Sequence, residues 1–269
     1  MSLILTPLRH IPLIHSGDDL AAILLEGLNT TPDPCDPSQP LTLRPGDILA
    51  ITSKIVSKAE GRLVNLATIT PSEAAQALAR RADKDPRLVE LILRESREVL
   101  RVRPGVIIVE HRLGFICANA GIDHSNVWPQ AESPEATPPS EDHVLLLPSD
   151  PDASCRALRE RIEAQTGLSI GVIMIDSHGR AWRIGTVGTC IGLSGIPAVI
   201  DERGWKDLFG RKLRVTIVGV ADELAAAASL VMGQAAEGTP VVHVRGFPYP
   251  LREGTLSELL RPKELDLFR

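Results

Sequence analysis

The run LSIGVIMI at residues 168–175 constrains the fold most strongly. A short, nearly continuous apolar stretch is satisfied when both of its faces are covered, the situation of an inner strand with other layers packed on it. It leads at once into Asp176, Ser177, His178 and Gly179, so the strand's end is expected to deliver a carboxylate and a hydroxyl to a sheet edge, where ligands bind. Two further segments share this layout. Residues 53–62, SKIVSKAEGR, follow the strand pattern of 47–52, and residues 119–126, NAGIDHSN, follow that of 114–118. Three clusters offering cations, carboxylates and hydroxyls point to an anionic substrate handled with a divalent metal.

The chain has 269 residues, enough for one large α/β domain or two of ordinary size, and two lobes sharing a cleft are expected. The division runs 1–128 for the first lobe and 143–250 for the second. A surface loop at 129–142, rich in proline, serine and glutamate, separates them, and 251–269 forms a tail. A net charge of -5 and an aromatic content of 3% argue against a nucleic-acid surface, which needs a basic stripe with stacking rings. Cys35, Cys117, Cys155 and Cys190 form no C-x-x-C pair, so neither a zinc knot nor a dithiol redox motif is indicated and a reducing compartment is the simpler setting. No run approaches the roughly 18 apolar residues of a membrane-spanning helix. The apolar residues 1–5 are broken by Pro7 and Arg9 too soon for a signal sequence. A cytoplasmic, soluble protein is expected.

Helix signals are frequent. Apolar periodicity over 20–28 follows Asp18-Asp19; the T-x-x-E pattern at Thr70 to Glu73, with Pro71 inside it, predicts a helix to about residue 83. Asp85-Pro86 begins another, with Leu88, Leu91 and Ile92 on one face. Asp150-Pro151 starts a helix through residue 166 that Gly167 closes. Strands are expected at 106–110, 114–118, 213–220 and 240–244, and an alanine-rich helix at 222–232.

Asp123 and Asp176 offer oxygen donors suited to Mg²⁺ or Mn²⁺ rather than zinc, although spacing alone favours a turn or helix cap for either acid taken singly. Lys54 and Lys58, interleaved with Ser53 and Ser57, suit a phosphate. The blander account is an exposed turn with a Lys58–Glu60 surface pair. Arg180, Arg183, Arg203, Lys206 and Arg211, set among glycines, could clasp phosphate or carboxylate, or be solvated turn residues. His124 and His178 read as turn residues. Neither a Walker A loop nor a G-x-S-x-G elbow occurs.

Taken in order, SKAEGR at 57–62, NAGIDHSN at 119–126, DSHGRAWRIGTVGTCIGLSG at 176–195, DELAAAASLVMGQ at 222–234 and PVVHVRG at 240–246 resemble the coenzyme F420-0:L-glutamate ligase family. The resemblance implies a two-lobed α/β homodimer with mixed sheets, acting on F420-0, L-glutamate and GTP without nucleic acid or membrane. It implies two divalent ions per site, Mg²⁺ or Mn²⁺, and adds K⁺ as a monovalent candidate. Carried over by motif, Ile11, Pro12, Leu13, Ile14, Ser53, Lys54, Lys58 and Asn126 match positions that contact the guanine nucleotide. Asp123, Asp176 and Ser177 match metal positions, as does Gln234, where archaeal relatives often carry Glu. Lys58 and Asp176 are the expected catalytic pair. A metal-dependent phosphohydrolase and a non-catalytic F420-binding module are the competing readings.

Overall fold

The computed structural model describes residues 2–127 and 142–267; the expected loop at 129–142 lies, apart from Asp142, outside the described residues. The amino-terminal half runs β1 (Ile4–Pro7), α1 (Leu20–Thr30), β2 (Ile48–Thr52), α2 (Ser53–Ala59) and β3 (Leu63–Asn65). It continues with α3 (Glu73–Ala82), α4 (Pro86–Arg94), β4 (Ser96–Arg103), β5 (Val106–His111) and β6 (Ile116–Ala118). Next come β7 (His143–Leu145), α5 (Pro151–Thr166), β8 (Gly171–Gly179), β9 (Thr186–Ser194) and β10 (Ile200–Asp201). The chain then forms β11 (Ile217–Val218), α6 (Val220–Met232) and β12 (Val241–Arg245).

The architecture is mixed α/β, as the residue patterns imply. A five-stranded sheet of order β1-β12-β2-β8-β9 forms the centre, with β2 and β8 its parallel pair. Ile48, Leu49, Ala50 and Ile51 of β2, and Val172, Ile173 and Met174 of β8, are fully buried, which accounts for the continuous apolar runs. A separate antiparallel sheet, β4-β5-β6, carries α3 and α4. Gly188 and Gly192 on β9 allow close packing. A Cβ at Gly188 would lie 2.3 Å from the Ser229 side chain on α6, and one at Gly192 would lie 2.4 Å from Pro151 on α5.

Helix starts follow side-chain capping. Asp85 accepts from the Arg87 amide at 2.7 Å with Pro86 in the first turn, and Asp150 accepts from Ala153 at 3.0 Å with Pro151 likewise. Gly167, at φ 70°, closes α5. For α3 the cap is Ser72 rather than Thr70, its hydroxyl accepting from Ala75 at 3.2 Å, so the T-x-x-E reading was displaced by two residues. Three expectations change more. β8 runs through Asp176, Ser177 and His178 to Gly179 because β9 keeps pairing with it. Residues 53–59 are helix α2, not a turn. The strand expected at 213–220 shrinks to Ile217–Val218, its neighbours being largely exposed, and Val220 already belongs to α6.

Candidate active site

β2 and β8 run in parallel through the pair Thr52 and Ile175, and there β2 ends. The chain turns into α2, while β8 continues with β9 as its remaining partner. Parallel strands that part in this way open a crevice at their carboxyl ends, the usual ligand position in α/β sheets. Asp176 is the first β8 residue past the parting. On the β9 side, Met174 faces Gly192 and Ile175 faces Cys190, leaving Ile191 as an extra residue in β9. Such a bulge re-aims the strand beside it. Asp222 of α6 satisfies the Cys190 amide at 2.9 Å there.

Two groups hold the Asp176 carboxylate. The Ser53 hydroxyl donates to Oδ1 at 3.3 Å, and His178 Nε2 lies 3.1 Å from Oδ2. Residues i and i+2 of a strand share a face, so β8 itself places His178 under the acid. Burial acts to raise the Asp176 carboxyl, but the His178 hydrogen bond and charge outweigh it and hold the group below the ordinary carboxylate range. His178 is buried, its ring 5.1 Å from that of Phe115, which in turn stacks on His111 at 5.0 Å. It is therefore not the turn residue expected.

Asp123 arrives from a different segment. Its backbone exchanges hydrogen bonds with Leu145 at 3.0 and 2.9 Å, and its carboxylate pairs with the Lys54 ammonium. Burial pushes the Asp123 carboxyl up; Lys54 opposes this, and the charge of Asp176 adds to it. The two aspartates thus sense one another across Lys54. Lys58, one turn on from Lys54 in α2, is pushed down by burial and then by the Lys54 charge. It has no carboxylate within ion-pair distance among the described residues, and Glu60 bonds Ser154 instead of forming the surface pair.

A second group gathers on the other face of β8. Ser177 Oγ donates to Gln234 Oε1 at 2.8 Å, and Gln234 Nε2 donates to Ser229 Oγ at 3.1 Å. Asn126, in the left-handed region at φ 57°, donates to the Ala235 carbonyl at 3.0 Å. Ser53, Lys54, Asp123 and Asp176 thus form one cluster, with Lys58 on the same short helix and Ser177, Gln234 and Asn126 alongside. Ile11, Pro12, Leu13 and Ile14 join neither group. Ile14 is buried in the core, Ile11 packs on α1 at Gly27, and Pro12 and Leu13 are exposed. Their loop is tied to the end of α2 by the Gly17 amide, which donates to Ala59 at 2.8 Å.

Among the described residues no three His, Cys, Asp or Glu side chains group to hold a metal. The described residues therefore offer no closed zinc-type ligand set. Two carboxylates with serine and amide oxygens do fit Mg²⁺ or Mn²⁺, which take one or two protein carboxylates and fill their remaining positions with water and phosphate.

Fold and site define a mixed α/β protein that collects two acids and two lysines where parallel strands part. Residues 9–246 match the F420-0:Gamma-glutamyl ligase family, and the chain belongs to that family. It is 45% identical over 271 residues to the Coenzyme F420:L-glutamate ligase of Methanothermobacter thermautotrophicus, covering 100% of both chains. The protein of that name from Methanopyrus kandleri is 45% identical over 95% of this chain and 93% of its own. The Archaeoglobus fulgidus protein is 41% identical over 98% and 95% respectively.

Proposed function

We propose that this chain joins L-glutamate to the carboxylate of F420-0 in coenzyme F420 biosynthesis, with GTP as phosphoryl donor and Mg²⁺ or Mn²⁺ as cofactor. The observation that carries the reading is the cluster of Asp123, Asp176 and Lys54, lying inside the residues matched to the family. The acceptor carboxylate attacks the γ-phosphorus and GDP leaves; the glutamate amine then attacks the acyl carbon, phosphate leaves and the amine gives up a proton. Divalent ions, when bound, offset the charge that builds on the phosphate oxygens.

The chain's own groups have distinct tasks. Asp123 and Asp176 are the oxygen donors toward the cations, and Ser177 and Gln234, bonded to each other, offer neutral oxygens from the other face of β8. Lys58, half-buried and without an acidic partner among the described residues, meets the nucleotide's phosphates, and the loop carrying Ile11, Pro12, Leu13 and Ile14 borders the far end of α2. His178 and Ser53 keep the Asp176 carboxylate ionised and fixed in direction.

A homodimer belongs to the same proposal. Trp205, Leu208, Phe209, Val215 and Ile217 stand exposed in one stretch of chain, the kind of apolar surface that a partner copy covers. No helix among the described residues is long and apolar enough to cross a membrane.

Mass spectrometry of the product formed from F420-0, GTP and L-glutamate tests the activity. The expected product is F420-0 extended by one or more glutamates, with phosphate release that requires both acceptor and amine. Release of phosphate from GTP alone at an undiminished rate, without amide product, would contradict it and indicate a phosphohydrolase.

A further inference from the structure

The hairpin that carries Asp176 does not stop at the acid cluster. β8 and β9 remain paired to Gly179 opposite Thr186, and the turn between them, 180–185, holds Arg180, Trp182, Arg183 and Ile184 exposed. Trp182 is 89% exposed and sits in the left-handed region at φ 63°; Ile184 is fully exposed. A bulky residue is strained at that backbone angle, and a bare indole forgoes burial. No hydrogen bond or ring contact to Trp182 offsets either cost among the described residues. Neither Arg180 nor Arg183 has an acidic partner among the described residues.

The turn begins four residues past Asp176, about 13 Å along the strand. That is the reach from a reacting carboxylate to the head of a ligand with an extended tail. Its composition also differs from the apolar stretch around Phe209, because residues 180–185 include two arginines and no acid, whereas that stretch carries Glu202 and Asp207 among its basic residues. An indole face flanked by two planar cations suits a flat aromatic group on an anionic stem.

We propose that the 180–185 turn recognises the acceptor: Trp182 stacks on its aromatic head, while Arg180 and Arg183 take the anionic groups between that head and the carboxylate at Asp176. The inference rests on the ligase reading and adds to it the residues that select the acceptor.

Isothermal titration of F420-0 into the wild-type chain, Trp182→Ala and the double variant Arg180→Gln/Arg183→Gln tests it, with steady-state KM values and the size-exclusion profile measured alongside. The expected result is at least tenfold weaker F420-0 binding in both variants. KM for F420-0 should rise in parallel, with KM for GTP and the elution position unchanged. Unchanged F420-0 affinity overturns the proposal, as does a rise confined to the KM for GTP. A shift to a smaller species with F420-0 binding lost only in proportion makes the turn an interface between copies and also overturns it. Normal F420-0 binding by a wild-type chain that forms no amide product would count against the ligase reading while the binding comparison still decides the role of the turn; no F420-0 binding by the wild type overturns both.

Discussion

Asp176 is held by Ser53 on one oxygen and His178 on the other, so the direction of its free lone pairs is set by its neighbours. Removing a partner of this kind lowers metal affinity by roughly 10–100-fold in comparable sites. His178→Ala is expected to weaken Mn²⁺ binding by that order, read by paramagnetic resonance, with less effect on thermal stability than on affinity. Lys58→Met removes a half-buried charge that has no acidic partner among the described residues, and it should raise the KM for GTP roughly tenfold or more while leaving the KM for glutamate unchanged. Kinetics with each substrate varied in turn would show this. His111 gives a pH signature. Burial pushes it down to about 4, so the unfolded chain takes up a proton near pH 6.5 that the folded site refuses until about pH 4. Stability is unaffected by this group above pH 6.5 and falls as the pH drops toward 4, by up to about 3 kcal/mol. Thermal melts between pH 7 and 4 should show that decline, and His111→Phe should flatten it.

At the scale of elements, the site follows from where β2 stops and β8 does not. The apolar runs of both strands, the capped starts of α4 and α5 and the Gly167 stop of α5 were legible, because each rests on local chemistry: burial on two faces, an aspartate accepting from an early amide, a positive φ. The extension of β8 to Gly179 was not, since pairing with β9 is a long-range event that polar residues alone do not announce. His178 was missed for the same reason, although the i, i+2 spacing from Asp176 would have put both on one face had the strand been continued. Asp123 and Asp176 stood out in the sequence by following apolar segments, whereas the Lys54 pairing and the Asp222 tie at the β9 bulge depend on tertiary contacts. Close packing at β9 is also an element-level property. Gly188→Ala would set a methyl 2.3 Å from the Ser229 side chain and 2.8 Å from the Ala225 carbonyl. The expected cost is about 1–3 kcal/mol, seen as a lower denaturation midpoint.

Across the whole molecule, the homodimer proposed from the apolar stretch bearing Leu208 and Phe209 predicts that the wild type has the mass of two chains by light scattering and Phe209→Glu that of one; equal masses for the two would contradict it. Asp123, from the segment after β6, and Asp176, from β8, lie close enough for the charge of one to act on the other, and the proposed function has them serve one cation-and-phosphate site. Mn²⁺ titration in the presence of GDP tests this most directly, comparing wild type, Asp123→Asn, Asp176→Asn and the double variant. A shared site predicts that each single change weakens Mn²⁺ binding at least tenfold and that the double variant is far less impaired than the sum of the two, because neighbouring ligands are not independent. Wild-type affinity in either single variant, or strictly additive losses, would contradict it.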